Sequence, residues 1–345
     1  MTCRVAAVDC GTNSLRLLVA DVNVDRAEMT DVARRMEIVR LGQGVDRTGR
    51  LAPEALARTT DVLRDYAGVI AGSAARAVRM VATSATRDAS NTADFTRQVK
   101  EILGVAPEVL TGSEEAVLSF TGATTELAAG HASGPFLVAD IGGGSTEFVL
   151  GAAVLPRGQV WPRGGDPPRP PRRFPRGDPF PGTPLGPPWA ISVNVGCVRM
   201  TERHLHGDPP VGSEVAAAVA DIDTALDTVT DAVPIRQART LIGLAGSVTT
   251  VAAISMGLRG YDAARIHHSR VSAADVHEVT RSLLAQTHAE RAAIPVMHPG
   301  RVDVIGGGAL VLDRIMQRFG FGEVLVSEHD ILDGIAWSLA RESCR

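Results

Sequence analysis

Apolar residues recur along this chain in two kinds of pattern. VAAVDC (5–10) and LRLLVADV (15–22) are short, nearly continuous runs rich in Val and Leu, parted by Gly-Thr-Asn-Ser, and they predict two buried strands joined by a turn. PEALARTTDVLRDYAGVI (53–70) opens on proline and places Leu56, Leu63 and Ile70 on one helical face, the pattern of a helix that covers a sheet. AVRMVAT (77–83) reads as a strand, NTADFTRQVKEILG (91–104) as a helix capped by Asn91 and ended at Gly104, and APEVL (106–110) as another strand. SEEAVLSFTGATTEL (113–127) predicts a helix with Ser113 as its cap and acids in its first turn. LIGLAGSVTTVAA (241–253) and DVIGGGALVLDRI (303–315) both read as strand-to-helix turns. The class is α/β.

One stretch has neither pattern. Residues 156–188 hold 12 of the 20 prolines, with six arginines and six glycines, and they have too few aliphatics to build a core. This predicts a disordered Pro/Arg/Gly-rich insertion over 153–189. It hangs from the far end of a hairpin whose strands are TEFVLG and AISVNVG, remote from any chemistry at the near end. Composition adds limits. A chain of 345 residues, 45% hydrophobic and 21% charged, favours two soluble domains. The net charge of −4 argues against a nucleic-acid partner. The cysteines, Cys3, Cys10, Cys197 and Cys344, show no metal-ligand spacing and are read as reduced thiols. No apolar run reaches about 18 residues and the N-terminus enters a strand at once, so the expectation is a cytoplasmic protein without a membrane span or signal peptide.

A repeat turns the pattern into chemistry. VAAVDCGTNSLRLLVAD and FLVADIGGGSTEFVLG share an apolar strand, then Asp-x-Gly-x-x-Ser, then a second apolar strand. Asp9, Gly11 and Ser14 thus correspond to Asp140, Gly142 and Ser145. Glycines let backbone N–H groups approach an anion, serine adds a hydroxyl donor, and the aspartate at the strand end suits a divalent cation bridged to phosphate. Gly11, Thr12, Asn13 and Ser14 form one predicted phosphate-binding turn, and Gly142, Gly143, Gly144, Ser145 and Thr146 the other. One such loop in each half predicts a two-domain phosphate clamp, which resembles the actin, Hsp70 and sugar-kinase superfold of two ribonuclease-H-like domains with a cleft between them. The expected domains are 1–126 and 127–345, with a final helix in 329–345 packing back on the first.

The runs VATSATRDASN (81–91), LTGSEEAVLSFTGA (110–123), ADIGGGSTEFVLG and GCVRMTERHL resemble the exopolyphosphatase and guanosine pentaphosphate phosphatase family (Ppx/GppA), short two-domain actinobacterial type. The resemblance covers about residues 4–152 and 190–340. It implies Glu115 as catalytic base, Arg87 as a phosphate-chain contact, and Asp140 and Glu147 as metal-site carboxylates, with Asp9 the corresponding acid of the first loop. The expected cofactor is Mg2+ or Mn2+. The expected substrate is inorganic polyphosphate, with guanosine pentaphosphate as an alternative on the same motifs, and a homodimer is expected from the family. An actin-like ATPase or kinase, or a non-catalytic polyphosphate or nucleotide sensor, would keep the same loops and stays open at this level. His267 and His268, with no metal spacing, read as surface histidines.

Overall fold

The computed structural model describes residues 2–127, 132–152 and 188–343. The proline-rich reading of 153–189 therefore lies almost wholly outside the described residues. The chain divides into two compact units: Met1–Ala128 with His329–Arg345, and Ala129–Ala153 with Gly164–Glu328.

The first unit begins with β1 (Thr2–Cys10), β2 (Ser14–Asn23) and β3 (Glu28–Ile38), and continues through α1 (Val45–Thr48), α2 (Pro53–Ser73), β4 (Ala77–Ala82), α3 (Ser84–Asp88), α4 (Thr92–Leu103), β5 (Glu108–Val109) and α5 (Gly112–Thr124). Its sheet has the order β3-β2-β1-β4-β5, with β1, β2 and β3 antiparallel and β4 and β5 parallel to β1. Both faces are covered, which is why β1 and β2 read as continuous apolar runs. Ala6, Val8, Leu15 and Leu17 pack towards α2 and α4 with Leu63, Phe95 and Val99. Val5, Ala7, Leu18 and Ala20 pack on the opposite face.

The second unit contains β6 (Phe136–Ile141), β7 (Thr146–Gly151), β8 (Trp189–Val193), α6 (Cys197–His204), α7 (Gly212–Ala232), β9 (Thr240–Leu244), α8 (Ala245–Ser255), α9 (Ala263–Ile266), β10 (Arg270–Ser272), α10 (Ala273–Ala285), α11 (His288–Ala292), α12 (Ile305–Phe319) and β11 (Glu323–Val326). The sheet order is β10-β11-β9-β6-β7-β8, with β6, β7 and β8 antiparallel, β9 and β11 parallel to β6, and the edge strand β10 antiparallel to β11. Two ribonuclease-H-like units of the actin superfold result. The last helix, α13 (Ile331–Ser343), belongs to the first unit. There Ile335, Ala336 and Trp337 complete the core on the second face of the sheet.

Helices α5 and α13 meet backbone to backbone. A Cβ on Gly122 would stand 1.8 Å from the Asp330 carbonyl oxygen, and one on Gly334 would stand 2.0 Å from that of Leu118. Only glycine leaves room for this approach, and it fixes the helix that carries Glu115 against the end of the chain.

Several local readings need correction. Asn91 stands at the N-cap position of α4, but its side chain makes no capping hydrogen bond; it instead accepts from Leu51 N–H and donates to the Leu51 carbonyl, tying two loops together. Helix α5 is capped by Thr111, not Ser113. Residues 305–315 of the Gly-Gly-Gly stretch lie within α12, not at a strand-to-helix turn. Gly307 and Gly308 leave space there for the Cys197 carbonyl and the Ser247 hydroxyl. His267 and His268 are half-buried and stacked, with ring centroids 3.7 Å apart. Strand β3 has no counterpart in the sequence reading, because an exposed edge strand carries little apolar signal. Cys3 is disulfide-bonded, against the reading of four reduced thiols, whereas Cys10 and Cys197 are free and buried. Among the described residues, no helix is long and apolar enough to cross a membrane.

Candidate active site

The predicted residues fall into one group in each unit. Both loops close in the same way: Gly11 N–H donates to the Ser14 carbonyl, and Gly142 N–H to the Ser145 carbonyl, each at 3.0 Å. The internal repeat is therefore a repeat of geometry as well as of sequence.

In the second unit, helix α6 orients the glycine loop. Its first N–H groups, which have no partner within a helix, donate to loop carbonyls: Cys197 to Gly142 at 2.9 Å, and Val198 and Arg199 to Gly143 at 2.9 and 3.1 Å. Arg199 Nε then takes the Gly144 carbonyl at 2.6 Å. In a trans peptide the C=O of one residue and the N–H of the next point in opposite directions. Drawing three consecutive carbonyls to α6 thus turns the N–H groups of Gly143, Gly144 and Ser145 away from it. Among the described residues none of these three N–H groups has a protein acceptor. Successive outward N–H groups form an anion-binding nest. Thr146 anchors the far side of the loop by donating its hydroxyl to the Val195 carbonyl at 2.6 Å.

Close packing makes Gly196 part of this device. A Cβ there would meet Gly143 O at 2.5 Å and Gly142 O at 2.8 Å. Gly196→Ala is expected to displace the loop and destabilise the second unit by about 1–3 kcal/mol, the usual cost of overpacking. Any turnover at this loop should fall with it. Thermal unfolding and turnover of the variant, each compared with the wild type, check this.

The first loop is held by a different segment. The Asn13 carbonyl accepts from Val39 and Arg40 N–H at 3.0 and 2.8 Å, and the Thr12 carbonyl from Gly42 N–H at 2.8 Å. The buried Thr12 hydroxyl pairs with Ser84 Oγ at 2.8 Å at the head of α3. Arg87 lies on the same short helix. Its Nη1 donates to the Leu110 carbonyl at 2.9 Å and to Glu115 Oε2 at 3.2 Å. Hydrogen bonds therefore run from the loop through α3 to Glu115.

The two adjacent glutamates of α5 have separate work. Glu114 completes a capping box, accepting from Thr111 N–H and from the Thr111 hydroxyl, both at 2.9 Å. Glu115 takes no part in that box; its side chain is 10% exposed beside Arg87. A buried carboxylate held by an arginine at a helix N-terminus is suited to orienting a water and taking its proton.

Asp140 and Glu147 stand directly opposite each other in the β6-β7 ladder and are buried. Ser192 donates its hydroxyl to Glu147 Oε1 at 2.7 Å. Two carboxylates opposed in this way offer the oxygen ligands that a divalent ion binds, so the pair fits such an ion. Asp9 is also buried, but Arg16 donates to its Oδ2 from Nε at 3.0 Å and from Nη2 at 2.5 Å, and Arg16 Nη1 also pairs with Asp330. Burial pushes the Asp9 carboxyl above its ordinary range, Arg16 pulls it back, and Asp330 adds to the rise.

A model of the Ppx/GppA phosphatase family matches residues 18–164 and 181–342. The chain belongs to that family. It is 47% identical over 348 residues to Exopolyphosphatase 2 of Mycobacterium tuberculosis (strain ATCC 25618 / H37Rv), covering 98% of each chain. It is similar to the crystal structure of an exopolyphosphatase-like protein, with TM-score 0.85 and 41% identity over 98% of this chain and 99% of that one. A Ppx/GppA family member from Aquifex aeolicus gives TM-score 0.76 at 25% identity, covering both chains fully.

Against this Ppx/GppA background, sequence reasoning missed three side chains that shape the loops: Arg16, Arg199 and Asp330. Arg16 sits inside the internal repeat, at GTNSLR, and Arg199 inside GCVRM, a motif that carried the family resemblance. A polar residue directly after an anion turn, or at the head of the next helix, is the signal that would have found them.

Proposed function

We propose that this chain is an exopolyphosphatase, releasing orthophosphate from the end of inorganic polyphosphate. The 47% identity to Exopolyphosphatase 2 across nearly the whole chain supports this reading. The structural observation that carries it is Glu115, buried beside Arg87 while its neighbour Glu114 serves as a cap. In this reading Glu115 orients a water and accepts its proton as the water oxygen joins the terminal phosphorus. The P–O bond to the bridging oxygen breaks, and that oxygen leaves with the shortened chain. Within the first unit Arg87 offers a guanidinium to phosphate oxygens beside Glu115, and within the second the N–H groups of Gly143, Gly144 and Ser145 offer a nest for phosphate oxygens. Asp140 and Glu147 would hold Mg2+ or Mn2+, which when bound neutralises charge on phosphate oxygens. The family resemblance supports a homodimer working in the cytoplasm.

Phosphate release from polyphosphate, guanosine pentaphosphate and ATP, measured side by side, tests the proposal. Polyphosphate is expected to be turned over fastest. Guanosine pentaphosphate presents the same terminal phosphoanhydride and serves as the second substrate in the comparison. Turnover of ATP alone would make the chain an actin-like ATPase or kinase, and binding without release would make it a sensor.

A further inference from the structure

The alternation of β1 separates its two cysteines. Cys3 lies with Val5 and Ala7 on the face of the first sheet that α13 covers, in one core with Trp337, Leu339 and Ala340, whereas Cys10 lies on the other face with Val8. Cys10 is buried and free, and so is Cys197 in the second unit. Cys3 is disulfide-bonded. A disulfide needs two sulfurs, and of the chain's four cysteines only Cys344 is left. It follows α13 directly in the chain, one position beyond the described residues.

The end of α13 needs a tether. Arg341, in its last turn, has Nε and Nη2 buried without a hydrogen-bond partner among the described residues. A guanidinium keeps its charge in proteins, and burial pushes Arg341 below its ordinary value with no carboxylate to raise it again. Donors buried in this way cost stability that hydration would return. Leu339 and Ala340, packed on the sheet, pull the other way. The last turn is thus balanced between docking, which buries its apolar side, and peeling, which wets Arg341. One covalent bond can decide between them.

We propose that Cys344 is the partner of Cys3 and that their disulfide is a redox latch holding the last turn of α13 on the first sheet. Disulfides are rare in reducing compartments, where those that form are usually transient, catalytic or redox-sensing. Opening takes an external dithiol. Its thiolate attacks one sulfur of the pair, the S–S bond breaks, and the other cysteine leaves as a thiolate that takes a proton. The dithiol's second sulfur then displaces the first cysteine and closes a disulfide of its own, so two electrons and two protons have passed to the chain. Glutathione disulfide reverses the exchange and ends as two thiols. Unlatched, the last turn peels and Arg341 meets water.

The full chain, oxidised with glutathione disulfide and alkylated in denaturant, is mapped by peptide mass. One linked pair is expected, the peptide of Cys3 with that of Cys344, with Cys10 and Cys197 alkylated. Trypsin then reads the last turn, because it cuts after arginine and Arg341 lies within it. Cleavage after Arg341 should run at least about tenfold faster in the native chain reduced with dithiothreitol than in the oxidised one, the mark of an easier local opening. Cys344→Ser should be cut at the fast rate with or without dithiothreitol. It should melt with the reduced wild type, about 5–10 °C below the oxidised chain. A free thiol at Cys3, or Cys3 joined to another cysteine, would overturn the pairing. Equal cleavage of oxidised and reduced wild type, or a Cys344→Ser variant that melts with the oxidised chain, would overturn the latch. None of these readouts uses phosphate release, so the outcome is independent of the substrate proposed above.

Discussion

Replacing Glu115 with glutamine is expected to lower orthophosphate release from polyphosphate by about a thousandfold, in the range typical for loss of a general base. The change keeps shape and removes charge. Arg87 retains its bond to the Leu110 carbonyl, and the α5 cap depends on Thr111 and Glu114, so the fold should persist. The control is next door. Glu114→Ala breaks the capping box and should cost about 1 kcal/mol of stability, yet leave the chemical step intact. Initial rates and melting curves on both variants separate the two roles. If Glu114→Ala lost turnover and Glu115→Gln kept it, the assignment of the base would be reversed.

Gly122→Ala is expected to be the most damaging single methyl group in the first unit. Its Cβ would enter the Asp330 carbonyl at 1.8 Å and crowd Gly334 N at 3.0 Å. Both obstacles are backbone, so no side chain can rotate away, and α5 must separate from α13. Overpacking usually costs about 1–3 kcal/mol and here should reach the upper end, lowering the melting temperature by roughly 6–12 °C for a unit of this size. Asp330 also pairs with Arg16, which holds Asp9, so displacement of α13 would disturb the first loop as well. Thermal denaturation with turnover of the surviving fold reads both effects. An unchanged melting temperature would mean that the two helices do not meet at these glycines.

Much of the fold was legible because burial on both faces of a sheet leaves its mark on composition. The runs 5–10 and 15–22 could be read as strands since every position but Arg16 and Asp21 is buried. Strand β3 escaped because its outer residues, such as Asp31, Arg34 and Arg35, face solvent at the sheet edge, where pairing with β2 alone decides the conformation. Caps failed for a related reason. Asn91 and Ser113 have the right chemistry, but Leu51 claimed the first and Thr111 reached the helix end before the second.

At the site, the repeat made the loops visible and the family pattern singled out Glu115. What orients the loops was not visible, because it is supplied from far along the chain. Arg199 reaches Gly144 across 55 positions, and Gly196 matters only for the space it leaves beside Gly143. Asp330 is 314 positions from Arg16. The three glycines at 306–308 show the converse error. Read locally they look like a turn, but Gly306 lies against Leu284 of α10, and Gly307 and Gly308 are flat helix surface for α6 and α8.

The reaction proposed for this chain is hydrolysis at the terminal phosphorus of polyphosphate. It is tested most directly by running the reaction in water enriched in 18O and analysing the products by mass spectrometry and chain length. Orthophosphate is expected as the released product, each molecule carrying one 18O, with the remaining chain shortened from its end. Internal fragments, orthophosphate without label, or turnover only in the presence of ATP would contradict it.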